Sequence, residues 1–314
     1  MARILVVNSQ SGAVRRLAGG WPGRRGRRTV EAGLRRVLDA AGAADVQLRI
    51  VPPRRIEAAL RIAAEQAKEL WVGGGDGTVR TAAGLLLRSD RPLGVVPLGT
   101  MNLLARDLGV PLDLEGALRA LATAPVGRID VGWMNDRLFL NKSALGLYPE
   151  MIIDRERRRR LWGYGKWPAM LRAAWRALRR HRLMELALEV EGAPPRHILS
   201  PALVVATNEY EFRAGRLFRK PDLASGALTA YVSHETRPLG SLSQLARMFL
   251  GTLPNDPKLE VVRTRRLTIH FAHSRPVAND GEVEFVRAPV VYAVEPQALA
   301  VRWPGLVADR EAAG

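Results

Sequence analysis

Three glycine-rich turns and one acidic turn hold the residues of this 314-residue chain whose types and spacing could do chemistry. The first is "GGGDGT", Gly73–Thr78, directly after the apolar run "LWV". Glycines there free the backbone for positive φ and let a ligand approach closely. Successive N–H groups can then form an anion-binding concavity, and the next helix N-terminus adds partial positive charge. Thr78 offers a hydroxyl to a phosphate or to the helix cap. Asp76 would repel phosphates unless a cation lay between them, which points to Mg²⁺. The competing structural reading is a tight turn with Asp76 as an ordinary cap. The Gly-Lys-Ser/Thr ending of a Walker loop is missing, and the dinucleotide fingerprint with its following acid does not fit. A second element, "PLGTMNLLARDLGVP" at 97–111, also follows an apolar run, and "NSQSG" at 8–12 is a third. The acidic turn is "NDGE" at 279–282, whose first three residues read by themselves as a hairpin turn able to present Glu282.

These turns need elements to hold them. "RILVVN", "VQLRIV", "LWVGG" and "PLGVVPLG" read as strands. Helical patterns fall at 29–41, over "RIEAALRIAAEQAKE", at 78–88, at 100–108 and from Leu114 to Ala122. Strand–helix alternation at this spacing predicts a parallel sheet covered by helices. In such sheets ligands bind at the carboxyl edge, where all three glycine turns would lie. Near Arg128 the character changes. "GRIDVGWMNDRLFLNKSALG" suggests a hairpin around Asn135-Asp136, and many short strands separated by Pro, Gly and Asn follow a basic helical stretch. The expected architecture is α/β, with an N-terminal parallel-sheet nucleotide-binding domain at 1–128, joined by the 297–314 tail. A C-terminal antiparallel, sandwich-like domain covers 129–296, with a basic helical insertion at 151–182.

The chain has no cysteine, which removes disulfides, thiol catalysis and cysteine metal sites. The apolar start is too short for a signal peptide, and no run reaches the ~18 residues of a membrane-spanning helix. A soluble, cytoplasmic protein is expected. The net charge is +17, and most of it lies in two segments, the six arginines of 15–28 and the eleven Lys or Arg of 151–182. Such localised charge suggests an anionic partner, against the alternative of a solvated arginine bias. Within 155–182, Trp167, Leu171, Trp175 and Leu178 share one helical face while Arg172, Arg176, Arg179 and Arg180 take much of the rest. This pattern fits either an interfacial helix on an anionic membrane or tryptophans in a core.

"GGDGT" at 74–78 followed by "PLGTMNLLARDLGVP" resembles the catalytic domain of diacylglycerol kinases, in the soluble bacterial lipid kinase and sphingosine kinase group. "NSQSG" at 8–12, "RIDVG" at 128–132 and "NDGE" at 279–282 extend the resemblance over nearly the whole chain. It implies an ATP-binding domain, a β-rich second domain and a lipid-binding cleft between them. Asn8, Ser11 and Gly12, the loop Gly73, Gly74, Gly75, Gly77 and Thr78, and Gly99, Thr100 and Asn102 would surround the ATP phosphates. Asp76 and Asp130 would organise Mg²⁺. Glu282 would be the general base that takes the lipid hydroxyl proton, with Asp76 and Asp280 as the other catalytic carboxylates. Arg80, Thr81, Leu103 and Val51 depart from the family pattern, and Ala224-Ser225 replaces an acidic pair that holds a structural Mg²⁺ in some members. The expected activity is phosphorylation of a diacylglycerol-like or sphingoid lipid. Two other readings stand beside it: an NAD kinase, which shares the first loop, and an inactive kinase scaffold that binds membrane or nucleic acid. No nucleic-acid motif accompanies the charge, so a nucleic-acid partner is not expected. The oligomeric state is left open, a homodimer included.

Overall fold

The computed structural model describes residues 2–11, 14, 24–153, 182–213 and 216–306. Gly12, most of the 15–28 arginine run and nearly all of the basic aromatic stretch lie outside the described residues. The chain forms two units: Met1–Ile129 with the segment that begins at Gln297, and Asp130–Pro296.

In the first unit, β1 (Ala2–Asn8), β2 (Gln47–Val51), β3 (Ala67–Gly74) and β4 (Leu93–Pro97) form a sheet in the order β2-β1-β3-β4. Every pair is parallel. The end of the strand Val290–Arg302 continues the sheet beyond β4, with Val301 opposite Leu93. Ile4 to Val7 and Leu70 to Val72 are all buried, as the near-continuous apolar runs of a two-sided parallel sheet require. Helices Arg24–Ala40, Ile56–Gln66, Asp76–Leu86, Leu103–Asp107 and Leu114–Thr123 make the connections. The helix expected through Glu69 stops at Gln66. Ala67 and Glu69 already pair with Ala2 and Arg3 of β1, so sheet pairing overrides helical periodicity there.

The second unit is antiparallel. Its strands are β5 (Val126–Met134, entering from the first unit), β6 (Arg137–Phe139), β7 (Lys142–Gly146), β8 (Met184–Val190), β9 (Arg196–Ser200), β10 (Ala202–Thr207), β11 (Glu211–Arg213), β12 (Arg216–Arg219), β13 (Leu228–Ser233), β14 (Leu259–Thr264), β15 (Arg266–His270), β16 (Arg275–Asn279), β17 (Glu282–Val286) and β18 (Val290–Arg302). One layer runs β14-β13-β10-β7-β16-β17, and the other contains β9-β8-β15 and the first part of β18. Leu145, Leu203, Val205, Leu228, Ala230 and Val277 of the first layer pack with Leu186, Leu188, Leu267, Ile269 and Tyr292 of the second. Two apolar faces meeting in one core define a sandwich. The hairpin of β5 and β6 turns on Asn135-Asp136, as expected. Helix Pro238–Leu250, ended by Gly251 at φ +74°, occupies a stretch in which the sequence suggested no element. No helix of the described residues is long and apolar enough to cross a membrane.

Candidate active site

Parallel register brings the ends of β1, β3 and β4 to one edge: Val7 lies opposite Gly73, and Gly74 opposite Pro97. The turns at 8–11, 74–78 and 98–102 therefore leave the sheet from the same side. At the first, Asn8 folds back so that its side-chain oxygen accepts the Gln10 N–H at 3.0 Å. Ser11 is buried, and its hydroxyl has no hydrogen-bond partner among the described residues. A buried hydroxyl of this kind suits a site that takes a polar ligand.

The second and third turns are locked together by Asp76. This residue opens helix Asp76–Leu86, whose N-cap is Gly75 with no side-chain cap. Neither Thr78 nor Asp76 caps that helix. The Asp76 carboxylate instead reaches across to the next turn. It accepts the Leu103 N–H at 2.7 Å and the Asn102 N–H at 3.1 Å, and so caps helix Leu103–Asp107 from outside. Asn102, at φ +51°, accepts the Gly99 N–H at 2.9 Å and donates to the Gly99 carbonyl at 3.2 Å. Leu103 contributes only its backbone here, so the departure at this position leaves the link intact. A Cβ on Gly99 would stand 2.5 Å from the Gly75 Cα, so the two turns touch backbone to backbone and only glycine fits. Thr100 is exposed between them.

Among the described residues no group of three or more His, Asp or Glu could hold a metal by itself. Mg²⁺ usually binds through one or two carboxylates together with waters and substrate phosphates. Each Asp76 oxygen accepts one N–H and keeps a second lone pair, so Asp76 fits as such a carboxylate. Asp130 is buried in the second unit. Its carboxylate accepts the Gly226 N–H at 2.7 Å, and its own N–H donates to the Leu223 carbonyl at 2.8 Å. Asn208 accepts the Ser225 N–H at 3.0 Å and the Ser225 hydroxyl. Direct hydrogen bonds thus hold the 223–226 loop.

The second unit presents its carboxylates on the β16–β17 hairpin. Asn279 pairs with Glu282 across a two-residue turn, Asp280-Gly281, with φ of +48° and +87°. Positive φ at both positions is the primed turn that matches strand twist, and Asp-Gly suits it. Glu282 is exposed at the start of β17. Asp280 faces the opposite way. Its carboxylate accepts the N–H groups of Leu140, Asn141 and Lys142 at 2.8, 2.9 and 3.1 Å. Burial pushes its pKa up, against those three donors and the Lys220 ammonium.

Around this carboxylate lies a polar cluster that motif reading did not find: Lys142, Lys220, Asn141, Tyr210 and Thr207. Burial, and secondarily the Lys220 charge, lower the Lys142 pKa to about 8, and its ammonium lies 5.0 Å over the Tyr148 ring. The available signal was a lysine inside an otherwise apolar stretch, "LFLNKSALG".

Fold and turns together define a two-domain protein, an α/β unit with a glycine-rich carboxyl edge followed by a β-sandwich. Residues 4–134 match the family model of the diacylglycerol kinase catalytic domain. Residues 159–303 match the YegS C-terminal NAD kinase beta sandwich-like domain. The chain is thus similar, part by part, to a diacylglycerol kinase catalytic domain and to the YegS-type domain that these two models describe. Diacylglycerol kinases of Staphylococcus aureus strains JH9 and Newman are each 40% identical over 79 residues, a match spanning 24% of this chain and 25% of those proteins. A solved diacylglycerol kinase from Bacillus anthracis superposes with a TM-score of 0.68 at 17% identity, covering 96% of each chain. A second Bacillus anthracis structure, whose kinase assignment is itself provisional, gives 0.73 at 22% identity over 96% of this chain and 97% of that one. At these identities the likeness is one of fold.

Proposed function

We propose that the protein is an ATP-dependent lipid kinase. The γ-phosphoryl group of ATP passes to a hydroxyl of a diacylglycerol-like or sphingoid lipid. The observation that carries this is the Asp76 link, which holds two glycine turns against each other at the carboxyl edge of a diacylglycerol kinase-type domain. The turns of Gly73 to Thr78 and of Gly99, with Asn8, Ser11, Gly12, Thr100 and Asn102, surround the phosphates, and those of their N–H groups that no carbonyl or side chain already takes hold them by charge-assisted hydrogen bonds. Mg²⁺, when bound beside Asp76, offsets charge on the transferring group. Glu282 takes the hydroxyl proton as the lipid oxygen attacks the γ-phosphorus, and the bond from that phosphorus to the bridging oxygen breaks to release ADP. The basic stretch 155–182 supplies peripheral contact with an anionic membrane that holds the lipid.

The test is transfer of labelled phosphate from Mg-ATP to a panel of detergent-solubilised diacylglycerols and sphingoid bases. Transfer to a lipid hydroxyl is expected, with Glu282→Gln reducing kcat about 10²–10⁴-fold. No transfer to any lipid, together with an unchanged Glu282→Gln enzyme on whatever acceptor does react, overturns the proposal.

A further inference from the structure

Lys220 has no role in the reaction proposed above, yet it is only 2% exposed. Its ammonium donates to the Leu140 carbonyl at 3.1 Å, the Asn141 carbonyl at 3.2 Å and the Thr207 hydroxyl at 2.9 Å. Its Nζ lies over the Tyr210 ring, 5.5 Å from the centroid, and the Tyr210 hydroxyl bonds the Asn141 side chain.

The two backbone carbonyls matter because of what lies at the other end of their peptides. The Leu140–Asn141 peptide gives its carbonyl to Lys220 and its N–H to Asp280. The Asn141–Lys142 peptide does the same. Two peptide dipoles therefore lie side by side between a buried cation and a buried carboxylate, each with its negative end on the ammonium. Charge-assisted bonds at both ends of a peptide reinforce one another in a low-dielectric interior. The Asp280 N–H returns to the Lys142 carbonyl at 2.9 Å, so the turn is bound to the same three residues from both directions. Glu282 is two residues on.

We propose that Lys220 is a positioning residue: acting through the two peptides and Asp280, it fixes the hairpin turn that presents Glu282. This rests on the assignment of Glu282 as general base. A misplacement of the order of 1 Å in a reacting group costs about 10²-fold. Lys220→Met should therefore lower kcat by about that factor, with the KM for ATP unchanged because the phosphate-binding turns are untouched.

Three measurements test it. Hydrogen exchange should become faster at the Asn141 and Lys142 amides in Lys220→Met while the β10–β13 pairs keep their protection. In a double-mutant cycle, Lys220→Met combined with Asp280→Asn should be no slower than Asp280→Asn alone. Thr207→Val removes one of the three acceptors and should show the same two effects at smaller amplitude, so it decides the matter if Lys220→Met does not fold. Wild-type kcat and exchange in a folded Lys220→Met or Thr207→Val protein, or fully additive losses in the cycle, overturn the proposal. Glu282→Gln, assayed in parallel, separates this from the parent reading. If that variant keeps full activity the base assignment falls, and exchange at the two amides alone then decides the relay.

Discussion

Asp76 caps a helix other than the one it opens. Its oxygens hold the N–H groups of Asn102 and Leu103, and the proposed function gives their remaining lone pairs to Mg²⁺. Asp76→Asn keeps the size but can accept on one oxygen only, so one of those amides faces an NH₂ group. A stability loss of about 1–3 kcal/mol is expected from the unsatisfied donor, measurable by denaturant titration, together with weaker ATP binding. Gly99→Ala attacks the same contact from the other side. Its methyl would meet the Gly75 backbone at 2.5 Å, and backbone cannot rotate away as a side chain can. Overpacking of this kind costs about 1–3 kcal/mol. Thermal unfolding should show the loss, and an ATP titration should show reduced affinity. Lys142 gives a prediction in pH. Its pKa is lowered to about 8 from 10.5, so between those values the unfolded chain holds a proton that the folded chain has released. Stability should therefore rise with pH across that interval. The raised phenol pKa values of Tyr231 and Tyr292 act oppositely above pH 10, where unfolded phenols ionise first. The difference between wild type and Lys142→Met cancels that contribution. The methionine variant should lack the rise, so its stability relative to wild type should be greatest below pH 8 and shrink as pH climbs toward 10.5.

Two strands of the first unit that are not neighbours in the sheet, β3 and the end of β18, are joined by an ion pair that no local pattern announces. Arg302, at the end of β18, donates to Glu69 of β3 at 3.0 Å through Nε, and a second bond closes a bidentate pair. Glu69 also accepts from the indole of Trp71 at 3.3 Å. Both charged side chains are largely buried, so Arg302→Met strands a carboxylate and should cost about 3–5 kcal/mol in unfolding free energy. The double variant Arg302→Met with Glu69→Met should recover much of that loss. This pair also shows where sequence reading stops. β1, β3 and β4 were visible because both their faces are buried, which forces apolar runs, and their glycine turns were visible because backbone contact leaves no other residue. The partner of Asp76 is 26 residues away, the partner of Glu69 is 233 away, and Lys220 reaches Leu140 across 80. Tertiary folding, not periodicity, creates those pairs. Helix Pro238–Leu250 escaped notice for a local reason: Gly240, Ser241 and Ser243 lower helix propensity in its first turns, although Pro238 stands at the helix start, where proline is accommodated. Its entry is held by the segment just before it: Gly240 packs against Glu235 so closely that a Cβ would stand 2.0 Å from the carboxyl carbon, and Glu235 accepts the Arg237 N–H at 2.9 Å.

Charge is distributed unevenly along the chain, and under the proposed function this parts recruitment from catalysis. Of the net +17, nearly all sits in the arginine run of 15–28 and in 151–182, while Asp76, Glu282 and their partners belong to nearly neutral sequence. A kinase acting on a bilayer-resident lipid needs a surface that finds the bilayer, and each basic residue near an anionic leaflet contributes about 1 kcal/mol. Replacing Arg172, Arg176, Arg179 and Arg180 together by Gln should therefore weaken binding to phosphatidylserine-containing vesicles by about two to three orders of magnitude in co-sedimentation. Wild-type binding should weaken in the same direction as salt rises and the Debye length contracts. Turnover of a short-chain, water-soluble diacylglycerol should be unchanged in that variant, because no bilayer has to be found. Equal vesicle binding by wild type and variant at low salt would place recruitment elsewhere on the molecule, and loss of turnover on the soluble lipid would move the arginines from docking into the reaction itself.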